Sequence, residues 1–200
     1  MAGLICGIGT NDAGYRVAIN TMVNGKRKEI WRCPFYRVWM NMLCRCYSES
    51  FQARSPTYKG CSVSSEWLKF SRFKAWMISQ NWKDMDLDKD LLIFGNKIYG
   101  EEYCLFVSRK VNGFLLDCAA ARGRWPQGVY WNAGAKKFQA YCHNQELKKP
   151  DYLGLFLCPD AAHEAWRRRK HEYALRLADE QEDPRVAAAL RTRYSSPKGN

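Results

Sequence analysis

The amino-acid sequence predicts an α+β fold: an N-terminal hairpin, a small centre of helices and a second hairpin, and a three-stranded antiparallel sheet packed on a long helix. Three observations predict it. Asn24-Gly25, the strongest short hairpin signal, separates two strand-like runs. Apolar residues then recur at spacings of three and four in two central segments. From Gln127, three short strand-like runs precede a helix-like run that begins at Pro159.

The N-terminal half begins with a glycine-rich arm and the hairpin, whose strands are "YRVAINTMV" and "KRKEIW". A helix is predicted after Pro34, with an apolar side made of Phe35, Val38, Trp39, Met42 and Cys46. A second helix is predicted to start at a capping Ser64 or Ser65. Its apolar side, which we expect in the core, consists of Trp67, Phe70, Phe73, Trp76 and Met77.

The C-terminal strands are predicted over "QGVYW", "KKFQAYC" and "DYLGLF", and a last short helix opens at Pro184. Alternation assigns one set of side chains to the helix-facing side of the sheet: Val129, Trp131, Phe138, Ala140, Cys142 and Leu153. It assigns another set to the outside: Tyr130, Asn132, Gln139, Tyr141, His143 and Tyr152. Polar and aromatic side chains beside lysines suit a surface that reads a DNA groove. The lysines concerned are Lys136, Lys137, Lys148 and Lys149.

Two domains are predicted, residues 1–117 with the N-terminal arm and central domain, and residues 118–200 with the sheet and the C-terminal helices. The connector "LLDCAAARGRWP" carries Arg122 and Arg124, which are further candidates for DNA contact. The run from Arg167 to Lys170 leaves two interpretations open, since four consecutive cations cover all sides of a helix: a solvated face or phosphate contact.

The charge balance favours a polyanionic partner. Lysine and arginine number 32 against 20 acidic residues, a net charge of +12, and such a field attracts nucleic acid or anionic membrane. No apolar run approaches the roughly 18 residues of a spanning helix, and "MAGLICGIG" lacks the basic start of a signal peptide. We therefore expect a cytoplasmic protein that binds duplex DNA and no membrane.

The nine cysteines predict neither disulfides nor a structural zinc site. Their odd number and irregular spacing fit a reducing compartment. Cys44 and Cys46 form the closest pair, but two positions on a helix diverge by about 200° and cannot easily share a metal. We expect small buried thiols.

The C-terminal segment "GVYWNAGAKKFQAY…YLGLFLCPDAAHEAW" resembles the plant Apetala/ethylene-response-factor DNA-binding domain. The matching positions are Gly128-Val129, Lys137-Phe138-Gln139-Ala140, Leu153-Gly154-Leu155-Phe156 and Ala161-Ala162. The resemblance implies that the outer side of the sheet enters the major groove. Tyr130, Asn132 and His143 stand where the plant domain has arginines, a departure that bears on sequence preference.

The order of "FYRVWMNMLCRCYS", "PTYKGCSVSSEWLKFSRFKAWM" and "DLDKDLLIFGNKIYGEEYCLFVSRKVN" resembles phage-encoded HNH homing-endonuclease-like proteins. The resemblance implies a phage origin, the cytoplasm of an infected bacterium, and an HNH-like centre. HNH nucleases use a histidine base beside one divalent metal. Here all three histidines, His143, His163 and His171, lie in the C-terminal part.

An acidic cluster is the candidate substitute for that centre. Asp88 and Asp90 are hard oxygen ligands suited to Mg²⁺, and in an extended segment they would lie on one side. Lys89 would face the other way unless the backbone turns. Asn96 and Asn112 occupy places where the HNH layout has polar residues. Asp88, Lys89, Asn96 and Asn112 are therefore the candidate catalytic residues.

Two main functions follow from these patterns, beside a third in which the basic chain binds an acidic protein partner instead of DNA. One is an endonuclease or nickase in which Asp88 and Asp90 hold magnesium. The other is a non-catalytic DNA-binding regulator, or a protein directed at a host factor, in which Asp88 or Asp90 only caps a turn or pairs with a lysine. The missing histidine near residues 86–112 favours the second.

Overall fold

The computed structural model describes residues 3–117 and 123–195. It contains both helices and small sheets, including a three-stranded antiparallel sheet beside a long helix, which confirms the α+β class. The chain divides into two compact units, Met1–Ser108 and Arg109–Asn200. This division falls before a short helix that the sequence-based boundary at residue 117 assigns to the first domain. Within the described residues, no helix is long and apolar enough to cross a membrane.

The first unit contains three helices and three two-stranded sheets. Its helices are α1 (Pro34–Tyr47), α2 (Glu49–Arg54) and α3 (Phe70–Ile78). Its strands are β1 (Ala18–Val23), β2 (Lys26–Arg32), β3 (Ser62–Val63), β4 (Met85–Asp88), β5 (Ile98–Tyr99) and β6 (Leu105–Ser108). β1 pairs antiparallel with β2, β3 parallel with β5, and β4 antiparallel with β6.

The N-terminal hairpin is confirmed. Asn24 and Gly25 both have positive φ, 50° and 72°, as the two central residues of a type I′ turn require. That turn twists in the same sense as the strands it joins, which is why the Asn-Gly pair predicts it well.

The second predicted helix is interrupted. A 3₁₀ turn covers Glu66–Leu68, and α3 begins only at Phe70 because Lys69 is extended (φ −94°, ψ 125°). Thr10 of the N-terminal arm lies beside this break: its N–H donates to Leu68 O at 2.8 Å, and its O accepts the Phe70 N–H at 3.0 Å. The expectation of one continuous helix was wrong, because pairing with a distant segment outweighs local helical preference.

The first unit is built around the two predicted apolar stripes. All five residues of the second predicted stripe are buried, Trp67 in the 3₁₀ turn and the other four in α3, as are Trp39, Met42 and Cys46 of α1. The Trp39 indole N–H donates to Trp67 O at 2.7 Å, which gives this large buried ring its polar partner. The Trp67 and Trp76 rings lie 4.4 Å apart. Helical spacing therefore identified this core correctly.

The described residues of the second unit form one sheet and three helices. In chain order they are α4 (Arg109–Leu115), β7 (Val129–Asn132), β8 (Lys137–Asn144), β9 (Lys149–Phe156), α5 (Pro159–Asp179) and α6 (Pro184–Arg193). The strand order is β7-β8-β9, all antiparallel. α5 packs on the sheet and α6 packs on α5. The predicted starts at Pro159 and Pro184 are confirmed.

The inner side of the sheet matches the predicted set with one qualification. Val129, Ala140 and Ala162 of α5 are buried together, and Phe138 and Leu153 pack against them. Trp131 contacts the Phe138 ring at 5.0 Å but keeps 45% of its surface exposed. β7 is an edge strand, so its far end is less completely covered than alternation alone suggests.

Candidate functional site

The candidate DNA-contacting surface is the side of the β7–β9 sheet opposite α5, here called the outer face. Cross-strand pairing defines it, because directly opposed residues share a face: Tyr130 opposes Gln139, Asn132 opposes Lys137, and Tyr141 opposes Tyr152. His143 alternates with Tyr141 along β8 and is exposed. The outer face thus carries six predicted residues: Tyr130, Asn132, Gln139, Tyr141, His143 and Tyr152.

Three tyrosines form a row across this face, one from each strand. The Tyr141 ring lies in the middle, 6.0 Å from the Tyr130 ring and 5.3 Å from the Tyr152 ring. Tyr130 and Tyr152 are 52% and 55% exposed. The row offers ring surfaces and hydroxyl groups to a ligand and is held in place by its own edge contacts.

Lysines lie at both ends of the outer face. Lys136 and Lys137 are exposed at the β7–β8 turn, and Lys148 and Lys149 at the β8–β9 turn. The two turns are separated by the length of β8, about 24 Å at 3.4 Å per residue. Positive charge therefore flanks the tyrosine row on both sides, as phosphate strands flank the floor of a groove.

Asn132 and Gln139 are tied to each other. Asn132 Nδ2 donates to Gln139 Oε1 at 3.1 Å, and Asn132 Oδ1 accepts the Ala135 N–H at 2.9 Å. Asn132 thus closes the β7–β8 turn, while the Gln139 amide N–H₂ donates to no described residue. Of the two predicted amides, Gln139 is the better placed to reach a base edge.

The predicted arginines have different positions. Arg124 is exposed, with its guanidinium 4.4 Å from the Trp125 ring centre. Arg122 lies outside the described residues.

The four cations from Arg167 to Lys170 are engaged within the second unit. Arg167 and Arg168 bind Glu164, and Arg169 bonds Asp151 of β9 at 3.2 Å. Lys170 is buried, and its Nζ donates to Phe114 O at 2.7 Å. Arg168 keeps 74% of its side chain exposed, so a solvated face and phosphate contact both stay open for the arginines of this run, while Lys170 belongs to the interior.

In the first unit, the acidic loop (residues 86–97) starts in β4 and bends directly after Asp88. Asp88 Oδ1 accepts the N–H of Asp90 at 2.9 Å and of Leu91 at 2.7 Å. The expectation that Asp88 and Asp90 lie in one extended segment was therefore wrong: the Asp88 carboxylate itself turns the chain. Burial, reinforced by the charge of Asp90, raises the pKa of Asp88.

Asn96 closes the acidic loop from the other side. Its Nδ2 donates to Lys89 O at 2.6 Å and to Ile98 O at 2.7 Å, and its Oδ1 accepts the Ile98 N–H at 3.1 Å. Both polar ends of the amide thus bond to backbone. This arrangement makes Asn96 a clamp between the two ends of the loop.

Lys89 is almost fully buried. Its Nζ lies 3.2 Å from Asp90 Oδ2 and 5.9 Å from the centre of the Tyr99 ring. The ammonium of Lys89 and the carboxylate of Asp90 neutralise one another. The backbone does turn at this point, and the turn brings Lys89 inward.

Asn112 belongs to α4 in the second unit. The histidines are also there: His163 stacks on Trp166 and its Nδ1 lies 2.9 Å from Gln127 O, and the buried Nδ1 of His171 bonds to nothing described. His143 is on the outer face. The described part of the first unit thus contains no imidazole that could act as a base.

Few described side chains could serve as ligands for magnesium. Within residues 3–117 and 123–195, no three His, Cys, Asp or Glu side chains form a group that could hold a metal. Asp88 Oδ2 accepts no hydrogen bond from a described residue. Mg²⁺ is often held by one or two carboxylates, with water and substrate phosphates completing its shell. The Asp88 carboxylate is thus what the loop offers such an ion, and magnesium stays a prediction.

Leu155 is an outer-face residue that sequence reasoning missed. It opposes Gln139 and is 42% exposed, although strict alternation from Leu153 places it inside. A bulge in β9 shifts the register between Tyr152 and Gly154, and Gly154 adopts φ +121°. The glycine was the available signal, since an isolated glycine in a strand often marks a bulge.

In comparisons with known proteins, no family model, no curated protein and no solved structure matches the chain.

Proposed function

We propose that this protein binds duplex DNA through the outer face of its C-terminal sheet. The observation that carries the proposal is the tyrosine row of the outer face, with exposed lysines on both sides of it at the two turns of the sheet. The lysines neutralise phosphates on either side of a groove, while Tyr130, Tyr152 and Gln139 contact sugars and base edges. The net charge of +12 speeds the encounter with the polyanion.

The test is a pair of matched double variants measured by fluorescence anisotropy on a labelled duplex. Tyr130→Ala/Tyr152→Ala removes the two exposed ends of the tyrosine row and should weaken binding at least tenfold, because each lost contact is worth about 1 kcal/mol or more. Leu175→Ala/Arg168→Ala, on exposed positions of α5, should bind like the wild type. Equal affinity of all three proteins would refute the proposed face. Tighter binding to single-stranded DNA than to the duplex would identify single-stranded DNA as the ligand.

Metal-dependent DNA cleavage is a second candidate, because Asp88 uses only Oδ1 to accept backbone N–H groups and a carboxylate oxygen such as Oδ2 can bind Mg²⁺. Asp88 would hold Mg²⁺ through Oδ2, and the ion would polarise a phosphate. Supercoiled plasmid incubated with the protein and Mg²⁺ or Mn²⁺ should be nicked, and Asp88→Asn should stop the nicking. If the plasmid stays intact at protein concentrations that give full binding, the protein is a non-catalytic DNA-binding regulator and not a nuclease.

A further inference from the structure

The β1–β2 hairpin of the first unit is exposed along its whole length. Every residue from 19 to 31 is exposed, and none of them belongs to the buried core of that unit. A two-stranded hairpin without a partner surface is marginally stable in water at best. Both faces of this ribbon are therefore open to a ligand.

Positive charge is concentrated at the tip of the hairpin. Lys26, Arg27 and Lys28 follow the turn directly, and no ion pair recorded among the described residues includes them. The one acidic residue of the ribbon, Glu29, is bound by Arg32, whose Nε lies 2.8 Å from Glu29 Oε2. The tip therefore presents three cations with no acidic neighbour left to balance them.

The cations lie on both faces of the ribbon. Lys26 opposes Val23 and Lys28 opposes Thr21, which places these pairs on one face. Arg27 opposes Met22 on the other face. A ligand that surrounds the tip with negative charge on two sides matches this distribution, whereas a flat anionic surface meets only part of it.

We infer that the hairpin is a second nucleic-acid-binding element that inserts its basic tip into a groove of duplex DNA. The major groove admits a two-stranded ribbon and has a phosphate strand along each wall. Lys26 and Lys28 reach one wall and Arg27 the other, while Met22 and Val23 contact sugars and thymine methyl groups. A membrane-inserting tip would lead with apolar residues, and here Asn24, Gly25 and the lysines lead. This element goes beyond the sheet of the proposed function and belongs to the other unit.

The experiment is the salt dependence of duplex binding by the full chain. In the triple variant Lys26→Ala/Arg27→Ala/Lys28→Ala, the slope of log K against log[salt] should become shallower by about two to three, because each phosphate contact contributes about 0.9. Its thermal midpoint should stay at the wild-type value, because the three side chains are exposed. The matched control, Lys59→Ala/Arg72→Ala/Lys83→Ala, removes three exposed cations of the same unit and should leave the slope within one of the wild type.

The inference is overturned by a wild-type slope in the hairpin variant, or by an equal fall in the control. It is also overturned when the hairpin variant loses binding to phosphatidylserine vesicles or to an acidic peptide while its DNA slope is unchanged. The two proposals fail separately: wild-type affinity in Tyr130→Ala/Tyr152→Ala with a shallower slope in the hairpin variant rejects the sheet alone. Lost affinity in the tyrosine variant with an unchanged hairpin slope rejects the hairpin alone.

Discussion

At the scale of single residues, Asp88 caps a turn, and burial of its charged carboxylate opposes folding. One carboxylate oxygen accepts two backbone N–H groups at the start of the acidic loop, yet burial raises the pKa of the group. A raised pKa in the folded state means that the neutral acid contributes stability at low pH. That contribution is lost as the pH rises through the folded pKa.

Asparagine at this position should therefore separate structure from chemistry. Asp88→Asn keeps the acceptor oxygen without the buried charge, so at pH 7 it should be as stable as the wild type or more stable. Asp88→Ala should lose about 1–3 kcal/mol, because two buried N–H groups lose their acceptor. Urea unfolding at pH 7 measures both changes. Equal losses in the two variants would contradict the turn-capping role.

Lys170 is the second residue with a clear pH signature. Burial lowers its pKa from 10.5 to about 8, so between those values the unfolded chain holds a proton that the folded protein has released. Its contribution to stability should thus rise with pH across this window, by about 3 kcal/mol in total.

The prediction is tested with Lys170→Met by comparing unfolding free energies from pH 7 to pH 10.5. The wild type should gain stability relative to the variant as the pH rises above 8. The difference between the two proteins is the quantity to follow, because burial raises the pKa of Tyr194 to about 12 and lowers the stability of both at high pH. A constant difference would show that Lys170 does not titrate in this window.

At the scale of elements, the entry of β7 depends on one glycine. Gly128 has φ +80°, and a Cβ placed on it would lie 2.1 Å from Cδ1 of Trp166 in α5. This close approach joins the sheet to its helix. A side chain at position 128 would have to adopt an unfavourable positive φ and would overlap Trp166.

Gly128→Ala should therefore destabilise the second unit by about 2 kcal/mol or more, since overpacking adds to backbone strain. Gly134→Ala in the neighbouring turn is the matched control, because its Cβ would meet only Asn132 Oδ1 at 3.6 Å. Near-UV circular dichroism during thermal unfolding would measure the stability of both variants. Similar midpoints for the two variants would argue against the Gly128–Trp166 contact.

At the scale of the whole molecule, each unit has a buried core of its own. Cys61 and Cys104 are buried in the first unit and Cys142 in the second, so thiol accessibility reports on each core separately. Local unfolding in contiguous cooperative units is the general behaviour of such structures.

Gly128→Ala should accordingly expose Cys142 before the other two thiols. Pulse alkylation in increasing urea, read by peptide mass spectrometry, should label Cys142 at lower urea than in the wild type, while Cys61 and Cys104 keep their wild-type midpoints. Gly134→Ala should leave all three unchanged. A joint shift of the three thiols would show that the two cores unfold as one.

The sequence alone determined the hairpin at Asn24-Gly25, the two apolar stripes of the first unit, the three strands, and the helices that begin at Pro159 and Pro184. These features depend on local backbone chemistry and on side-chain periodicity, and residues close together in the sequence determine both. The candidate DNA-contacting face was also predictable, because alternation along three short strands assigns most of its members without knowledge of the partners.

Only the tertiary structure decided the rest, because each remaining feature depends on contacts between segments distant in sequence or on a local shift of register. Thr10 breaks the second predicted helix at Lys69, and the bulge at Gly154 turns Leu155 outward. The acidic loop bends at Asp88 and is clamped by Asn96, so two residues that look catalytic in sequence also hold the backbone of the loop. The exposure of the β1–β2 ribbon is likewise a tertiary property: no described residue buries residues 19–31, which leaves the basic tip open.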